Sequence, residues 1–179
     1  SQYASSIDFV NLMTYDFHGA WESPTNFHSA LYKPAGDPST GDAAKYNTND
    51  AIQALIAAGM PAAKINLGIG FYGRGWSNVP NSNNGLFQPS TTAAPGTYEA
   101  GIEDYKVLKN LGYPSYDDTA AGAHWIFNGS TFWSFDDPAN IQRKMNYVKA
   151  QSLGGAFSWE FSGDDANGTL IKAISNGLK

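Results

Sequence analysis

The stretch AIQALIAAGMPAAKINLGIG, residues 51–70, contains a complete helix-to-strand transition and decides the fold class. Residues 51–58 are rich in alanine, leucine and isoleucine, and Asn47 and Thr48 before them are of the types that cap helix N-termini. Gly59 and Pro61 end this helix, because glycine adopts the left-handed C′ conformation and proline cannot continue the helix. Residues 64–70 then form a short apolar run of the kind that makes a buried strand.

The same alternation is found on both sides of this stretch. Strands are predicted at residues 8–14 and 155–160, from short runs of apolar and β-branched residues. Two further helices are predicted, one opened by Asp137 and Pro138 and one opened by Asp165. Strands that alternate with helices predict parallel βα units and an α/β fold.

Residues 71–133 break this alternation. Residues 99–111 have the apolar spacing of an amphipathic helix, and two aromatic strands flank Asn128-Gly129, a dipeptide typical of hairpin turns. We therefore predict an α+β insertion at 71–133 within one βα connection. The α/β part then comprises residues 1–70 and 134–179.

The composition excludes several classes of protein. The 179 residues include no cysteine, and 11 Lys and Arg stand against 16 Asp and Glu, for a net charge of −5. Disulfides and thiolate metal sites are thereby excluded, and a nucleic-acid surface is disfavoured because no basic run occurs. The longest apolar stretch, 54–63, is too short for a membrane span, and the first residues lack a signal-peptide pattern. The three histidines have no metal-ligand spacing, so we expect neither a metal nor a cofactor.

Aromatic residues make up 14% of the chain, nearly as much as the 15% that is charged. Many of these rings neighbour Asn, Asp, Gly or Ser, which suits contact with carbohydrate as well as ordinary burial. Ligands of parallel βα folds bind at the carboxyl ends of the strands. The residues at the ends of the three predicted strands, or directly after them, are Met13 to Asp16, Phe71 to Arg74, and Ser158 to Glu160. Such a set can stack on a sugar ring and hydrogen-bond its rim.

Five segments resemble the glycoside hydrolase family 18 chitinases, bacterial ones in particular. They are NLMTYDFHGAWE (11–22), INLGIGFYGRGW (65–76), GTYEAGIEDY (96–105), FWSFDD (132–137) and LGGAFSWEFSGDD (153–165). The resemblance implies a TIM barrel of which this chain supplies the last three βα units, with 71–133 as the chitinase insertion domain. It also implies chitin or chitooligosaccharides as substrate and an extracellular location.

The resemblance assigns roles to particular residues. Tyr15 resembles the tyrosine whose hydroxyl bonds the substrate's N-acetyl oxygen as that oxygen attacks the anomeric carbon, and Asp16 resembles a carboxylate of the catalytic machinery. Met13 matches a position in the floor of the pocket, and Trp159 matches the indole beneath the sugar.

Three further positions keep two interpretations. Trp21 matches an aromatic platform on the product side, or is an ordinary loop ring. Arg74 and Glu99 resemble polar residues of the cleft, although an internal arginine–carboxylate pair would explain both. Tyr72 is expected to pack between the barrel and the insertion.

One family motif does not occur in these 179 residues. Family 18 chitinases take their general acid from a glutamate that ends an Asp-x-x-Asp-x-Asp-x-Glu motif, which this sequence lacks. Two hypotheses follow. The chain is the C-terminal half of a chitinase whose N-terminal half of the barrel carries the acid, or it is a catalytically silent module that binds chitin or another glycan.

Overall fold

The computed structural model describes residues 3–179, and within them parallel and antiparallel strands form two separate sheets. The described residues contain nine strands: β1 (Val10–Leu12), β2 (Ile65–Gly70), β3 (Tyr72–Ser77), β4 (Thr92–Ala93), β5 (Ile102–Asp104), β6 (Ser115–Asp118), β7 (Ala123–Phe127), β8 (Phe132–Phe135) and β9 (Gly155–Trp159). The α-helices are α1 (Thr48–Ala57), α2 (Tyr105–Leu108), α3 (Pro138–Ala150) and α4 (Thr169–Leu178). None of the helices in this described part of the chain is long and apolar enough to cross a membrane.

The first sheet is parallel, as the alternation of strands and helices predicts, and its strand order is β1-β2-β9. Leu12 pairs with Leu67, and Gly70 pairs with Trp159, so the carboxyl ends of the three strands lie side by side. Helices α1, α3 and α4 connect or follow these strands. Gly177 on α4 allows the close approach of α3, because a Cβ atom there would lie 2.6 Å from the Cβ of Met145.

Capping residues start and end the helices largely where the sequence predicts. The Asn47 side chain accepts a hydrogen bond from the Asp50 amide, and Asp137 accepts one from the Asn140 amide with proline in the first turn. Helix α4 begins later than expected, at Thr169. The Asp164 carboxylate accepts hydrogen bonds from the amides of Leu170 and Ile171, so it caps the helix from a loop several residues upstream.

The second sheet is antiparallel, with the order β4-β3-β8-β7-β6, and β5 also pairs with β3. The predicted hairpin is present, with Phe127 paired to Phe132 and a loop of residues 128–131 between them. Buried aromatic side chains fill the space beside this sheet, including Phe27, Trp76, Trp125, Phe127 and Phe132.

The predicted helix over residues 99–111 is wrong. Only Tyr105–Leu108 is α-helical, and Ile102–Asp104 is a strand that pairs with Tyr72 to Arg74. Gly101 has a φ of +85°, a conformation that a right-handed helix cannot contain. The backbone pairing with β3 satisfies the N–H and C=O groups that a helix would otherwise have bonded internally.

Candidate active site

Residues from three strand ends meet around a cavity of about 570 Å³. Asp16 follows β1, Tyr72 and Arg74 belong to β3 directly after β2, and Trp159 ends β9. All four line the cavity. The parallel register brings them together, since it aligns the carboxyl ends of β1, β2 and β9.

Thr14 fixes the chain at the point where β1 ends. Its buried hydroxyl donates to the Gly68 carbonyl at 2.8 Å and accepts from the Gly68 amide at 3.0 Å. Gly68 has no room for a side chain, because a Cβ there would lie 2.6 Å from the Leu12 carbonyl oxygen and 2.9 Å from the Tyr15 ring. Tyr15 therefore sits in a position defined by two neighbouring strands.

Tyr15 is buried, and its ring packs edge-on against Tyr72 at 6.0 Å and in a tilted contact against Phe157 at 6.2 Å. Burial raises the pKa of Tyr15, and the charge of Asp16 raises it further. The hydroxyl consequently stays protonated at neutral pH and can donate a hydrogen bond.

Asp16 is the acidic centre of this site, with its Oδ1 atom 2.8 Å from Nε of Arg74. Burial raises the pKa of Asp16, but the neighbouring His28 ring and the hydrogen bond from Arg74 outweigh that effect and hold the pKa well below its ordinary value. The carboxylate is therefore ionised across the neutral range. Burial, and to a smaller extent the charge of Asp16, raises the pKa of Tyr72. The Tyr72 hydroxyl therefore stays protonated and can donate a hydrogen bond.

Arg74 lies between two aromatic rings while it pairs with Asp16. Its guanidinium carbon is 5.0 Å from the centre of the Trp21 ring and 5.7 Å from that of Tyr72. These cation–π contacts hold the guanidinium in place and give Trp21 a defined role beside the cavity. An internal pair is the alternative that would explain both Arg74 and Glu99, but the carboxylate that Arg74 pairs with is Asp16.

Two indole rings are largely exposed near the site. The exposed fractions are 59% for Trp159 and 58% for Trp21, unusually high for such large apolar side chains. An aromatic face open to solvent beside a carboxylate and a guanidinium suits a ligand with both apolar and hydroxylated faces, such as a sugar.

Four of the predicted site residues do not line the cavity. Tyr15 and Trp21 contact lining residues, Tyr72 and Arg74 respectively. Met13 is 68% exposed at the end of β1, and Glu99 is exposed and makes a β-bridge to Ile102. The cavity wall instead includes Tyr98, Ile102, Asp104 and Ser162, which the site prediction omitted. Tyr98 and Asp104 do fall within the segment GTYEAGIEDY, and β5 brings that segment to the cavity only through its pairing with β3.

His28 is a further residue of the site that the prediction omitted. It is completely buried, and its Nδ1 atom accepts a hydrogen bond from the Asp16 amide at 3.4 Å. The same atom is 3.9 Å from the Asp16 carboxylate, too far for a hydrogen bond in this geometry. Burial lowers the pKa of His28, in agreement with a neutral ring that supports Asp16 from behind.

Comparison with known proteins gives a consistent result. The family model described as glycosyl hydrolases family 18 matches residues 1–164. Chitinase 63 of Streptomyces plicatus is 50% identical over 175 residues, which are 97% of this chain and 27% of that protein. Chitinase C of Streptomyces lividans is 52% identical over 164 residues, or 90% of this chain and 25% of that protein. The chain thus spans about a quarter of the length of these two relatives.

Solved structures agree in fold. The catalytic domain of psychrophilic chitinase B from Arthrobacter TAD20 superimposes with a TM-score of 0.89 at 38% identity, over 97% of this chain and 39% of that one. A mutant of the class V chitinase from Nicotiana tobaccum, solved in complex with NAG4, gives a TM-score of 0.85 at 31% identity, over 97% of this chain and 49% of that one. These matches support an α/β glycosidase fold, and the chain belongs to glycosyl hydrolase family 18.

Proposed function

We propose that this chain is part of the catalytic domain of a chitinase that hydrolyses β-1,4 linkages between N-acetylglucosamine units. The observation that carries the proposal is the convergence of Asp16, Arg74 and Trp159 on one cavity with an exposed indole face. Tyr15 packs against Tyr72, which lines the same cavity. The Streptomyces relatives are named chitinases, and one similar structure is a complex with NAG4, which supports the substrate class.

The proposed mechanism is substrate-assisted and retains the anomeric configuration. The N-acetyl carbonyl oxygen of the sugar on Trp159 attacks its own anomeric carbon, and the bond to the leaving oxygen breaks. Water then attacks the same carbon, the bond to the N-acetyl oxygen breaks, and the two successive inversions retain the configuration. The protonated Tyr15 hydroxyl donates a hydrogen bond to the N-acetyl group, which holds its oxygen towards the reacting carbon. The nearby ionised Asp16 stabilises the positive charge that develops on the acetamido group.

The leaving oxygen needs a proton donor, and we propose that a segment outside these 179 residues supplies it. The acidic motif of the family does not occur here, and general acid catalysis contributes about 10²- to 10⁴-fold to such reactions. We further propose that β1, β2 and β9 are the last three strands of a TIM barrel and that residues 71–133 form its insertion domain. The parallel order of these strands and the separate antiparallel sheet support this architecture.

The proposed activity is tested by measuring hydrolysis of chitooligosaccharides by the full protein that carries this chain. We also propose that the protein is extracellular, which fractionation of the culture tests. The variant Tyr15→Phe removes one hydroxyl from a buried ring. Loss of one transition-state donor costs about 10²- to 10³-fold in kcat, which is the expected decrease. The matched control is Tyr32→Phe, which removes a hydroxyl from a half-exposed ring that packs on Tyr147 away from the cavity.

A second variant tests the sugar platform. Trp159→Ala removes an exposed indole, so the fold should be retained while KM for chitooligosaccharides rises about tenfold, equivalent to about 1.4 kcal/mol. Equal activity of Tyr15→Phe and the parent would contradict the proposed mechanism. Binding of chitooligosaccharides without any turnover by the full protein would favour the glycan-binding module instead.

A further inference from the structure

A second cluster of polar side chains lies away from the sugar cavity, where the antiparallel sheet meets the start of α3. It consists of Asp117 on β6, His124 on β7 and Asp137 at the N-terminus of α3. One ligand atom from each side chain lies within 4.8 Å of the other two. None of the three lines the cavity that holds Asp16 and Trp159.

The three side chains are held in place by rigid elements. Asp117 and His124 are cross-strand partners in the β6–β7 ladder, and the imidazole packs edge-on against Phe135 at 4.9 Å. The Oδ1 atom of Asp137 accepts from the Asn140 amide at 2.7 Å, which leaves its Oδ2 atom facing His124. Such preorganisation is what a binding site requires of its ligand atoms.

An ordinary histidine–carboxylate pair explains only part of this geometry. Nδ1 of His124 lies 3.1 Å from Oδ1 of Asp117, a hydrogen-bond distance, and 4.0 Å from Oδ2 of Asp137. One ring nitrogen carries at most one proton, so it can donate fully to only one of the two carboxylates. A hydrogen bond to Asp117 therefore does not explain why the Asp137 carboxylate also faces Nδ1 of His124.

The charges around the cluster also favour a cation. Among the described residues, Asp117 and Asp137 form ion pairs only with His124 and with no lysine or arginine. The nearby Lys109 pairs with Asp165 instead. Burial raises the pKa of Tyr105 to about 12 together with the charges of Asp165, Asp137 and Asp164, which place several carboxylates in this region.

We propose that Asp117, His124 and Asp137 bind a divalent transition metal ion of the Zn²⁺ class. One imidazole nitrogen and two carboxylate oxygens suit such ions, whereas Ca²⁺ prefers oxygen ligands alone. Ligand atoms at about 2.0–2.2 Å from a tetrahedral zinc lie about 3.3 Å apart, so shifts of about 1 Å would close the cluster around the ion. His124 and Asp137 also line a cavity of about 290 Å³, from which water can complete the coordination. The bound ion would join the β6–β7 hairpin to α3.

The test is calorimetric titration of the metal-stripped full protein with Zn²⁺, together with its thermal midpoint. Asp117→Asn and Asp137→Asn each remove one anionic ligand, and asparagine still caps α3 in the second. Each should weaken Zn²⁺ binding at least about tenfold and reduce the rise of the thermal midpoint on addition of Zn²⁺. His124→Phe removes the nitrogen and keeps a ring against Phe135, and it should weaken binding as strongly.

The matched control is Asp118→Asn, which changes the adjacent strand residue and can still accept from the Ala120 and Ala121 amides. It should bind Zn²⁺ as the parent does. The proposal is overturned if the parent shows no saturable binding of Zn²⁺ at concentrations up to about 1 mM. It is also overturned if Asp117→Asn and Asp137→Asn bind as tightly as Asp118→Asn, or if the parent binds Ca²⁺ in preference to Zn²⁺.

Discussion

Replacement of Lys144 by methionine should destabilise the protein more than any ordinary surface change. Lys144 and Asp136 are both completely buried, and Nζ lies 2.6 Å from Oδ2. Asp136 also accepts from Asn140 Nδ2 at 2.5 Å and from Ser29 Oγ at 3.2 Å. Methionine fits the lysine stem, but it leaves the carboxylate with two neutral donors and no counter-charge.

The expected cost is large because a buried charge without its partner cannot recover its lost hydration. Removal of one partner of a buried ion pair costs about 3–5 kcal/mol. The free energy of unfolding of a whole domain is only about 5–15 kcal/mol. A domain of this size loses about 2–4 °C of Tm per kcal/mol, so Tm should fall by about 6–20 °C. Urea unfolding followed by circular dichroism measures the free energy directly.

Two further variants separate charge from packing. Lys149→Met changes an exposed lysine on the same helix and should stay within about 0.5 kcal/mol of the parent. Lys144→Met combined with Asp136→Asn removes both charges and should recover most of the loss, since paired buried charges contribute little net stability. A loss below about 1 kcal/mol for Lys144→Met, or a double variant no better than the sum of its singles, would refute this reasoning.

Two other changes have equally specific outcomes. Arg74→Gln removes the ion pair that helps to keep the pKa of Asp16 below its ordinary value. A lowered folded-state pKa stabilises the protein above the unfolded pKa of about 3.9, and this contribution disappears as the pH falls towards the folded-state value. The urea midpoints of parent and variant should therefore differ at pH 7 and converge towards pH 2, and a constant difference would contradict this assignment. Asn47→Ala removes the side chain that accepts from the Asp50 amide at 2.9 Å and should cost about 1 kcal/mol in urea unfolding, whereas Asn47→Asp should retain most of the cap.

The parallel part of the fold could be predicted from the sequence because its signals are local. Gly59 and Pro61 end one helix, and Asp137 and Pro138 begin another at the predicted position. The apolar spacing of segment 99–111 predicts a helix, whereas the observed conformation depends on pairing with a strand some thirty residues earlier. Such long-range pairing overrides local propensity and leaves no local signal.

Some residues of the candidate site could likewise be predicted from the sequence, and others could not. Tyr15 and Asp16 follow one predicted strand and Trp159 lies near the end of another, so their positions follow from the general rule for parallel sheets. His28 lies in a long loop, and nothing in its local sequence indicates that the ring returns beneath Asp16. Nor does the local sequence indicate that Asp117 and His124 lie close together. They are seven residues apart in the chain and become neighbours only because β6 pairs with β7.

The backbone conformation of Asp16 shows how His28 contributes to the geometry of the site. Asp16 has a φ of +61°, a left-handed conformation that costs a residue other than glycine about 1–2 kcal/mol. Two hydrogen bonds to His28 offset that cost: its Nδ1 accepts from the Asp16 amide, and its carbonyl accepts from the Phe17 amide at 2.9 Å. The His28 amide in turn donates to Ser134 Oγ on β8. The antiparallel sheet thus holds the loop, and the loop holds Asp16 in the conformation that directs its carboxylate to Arg74. A site built at the end of the parallel strands therefore depends on the antiparallel sheet for its geometry.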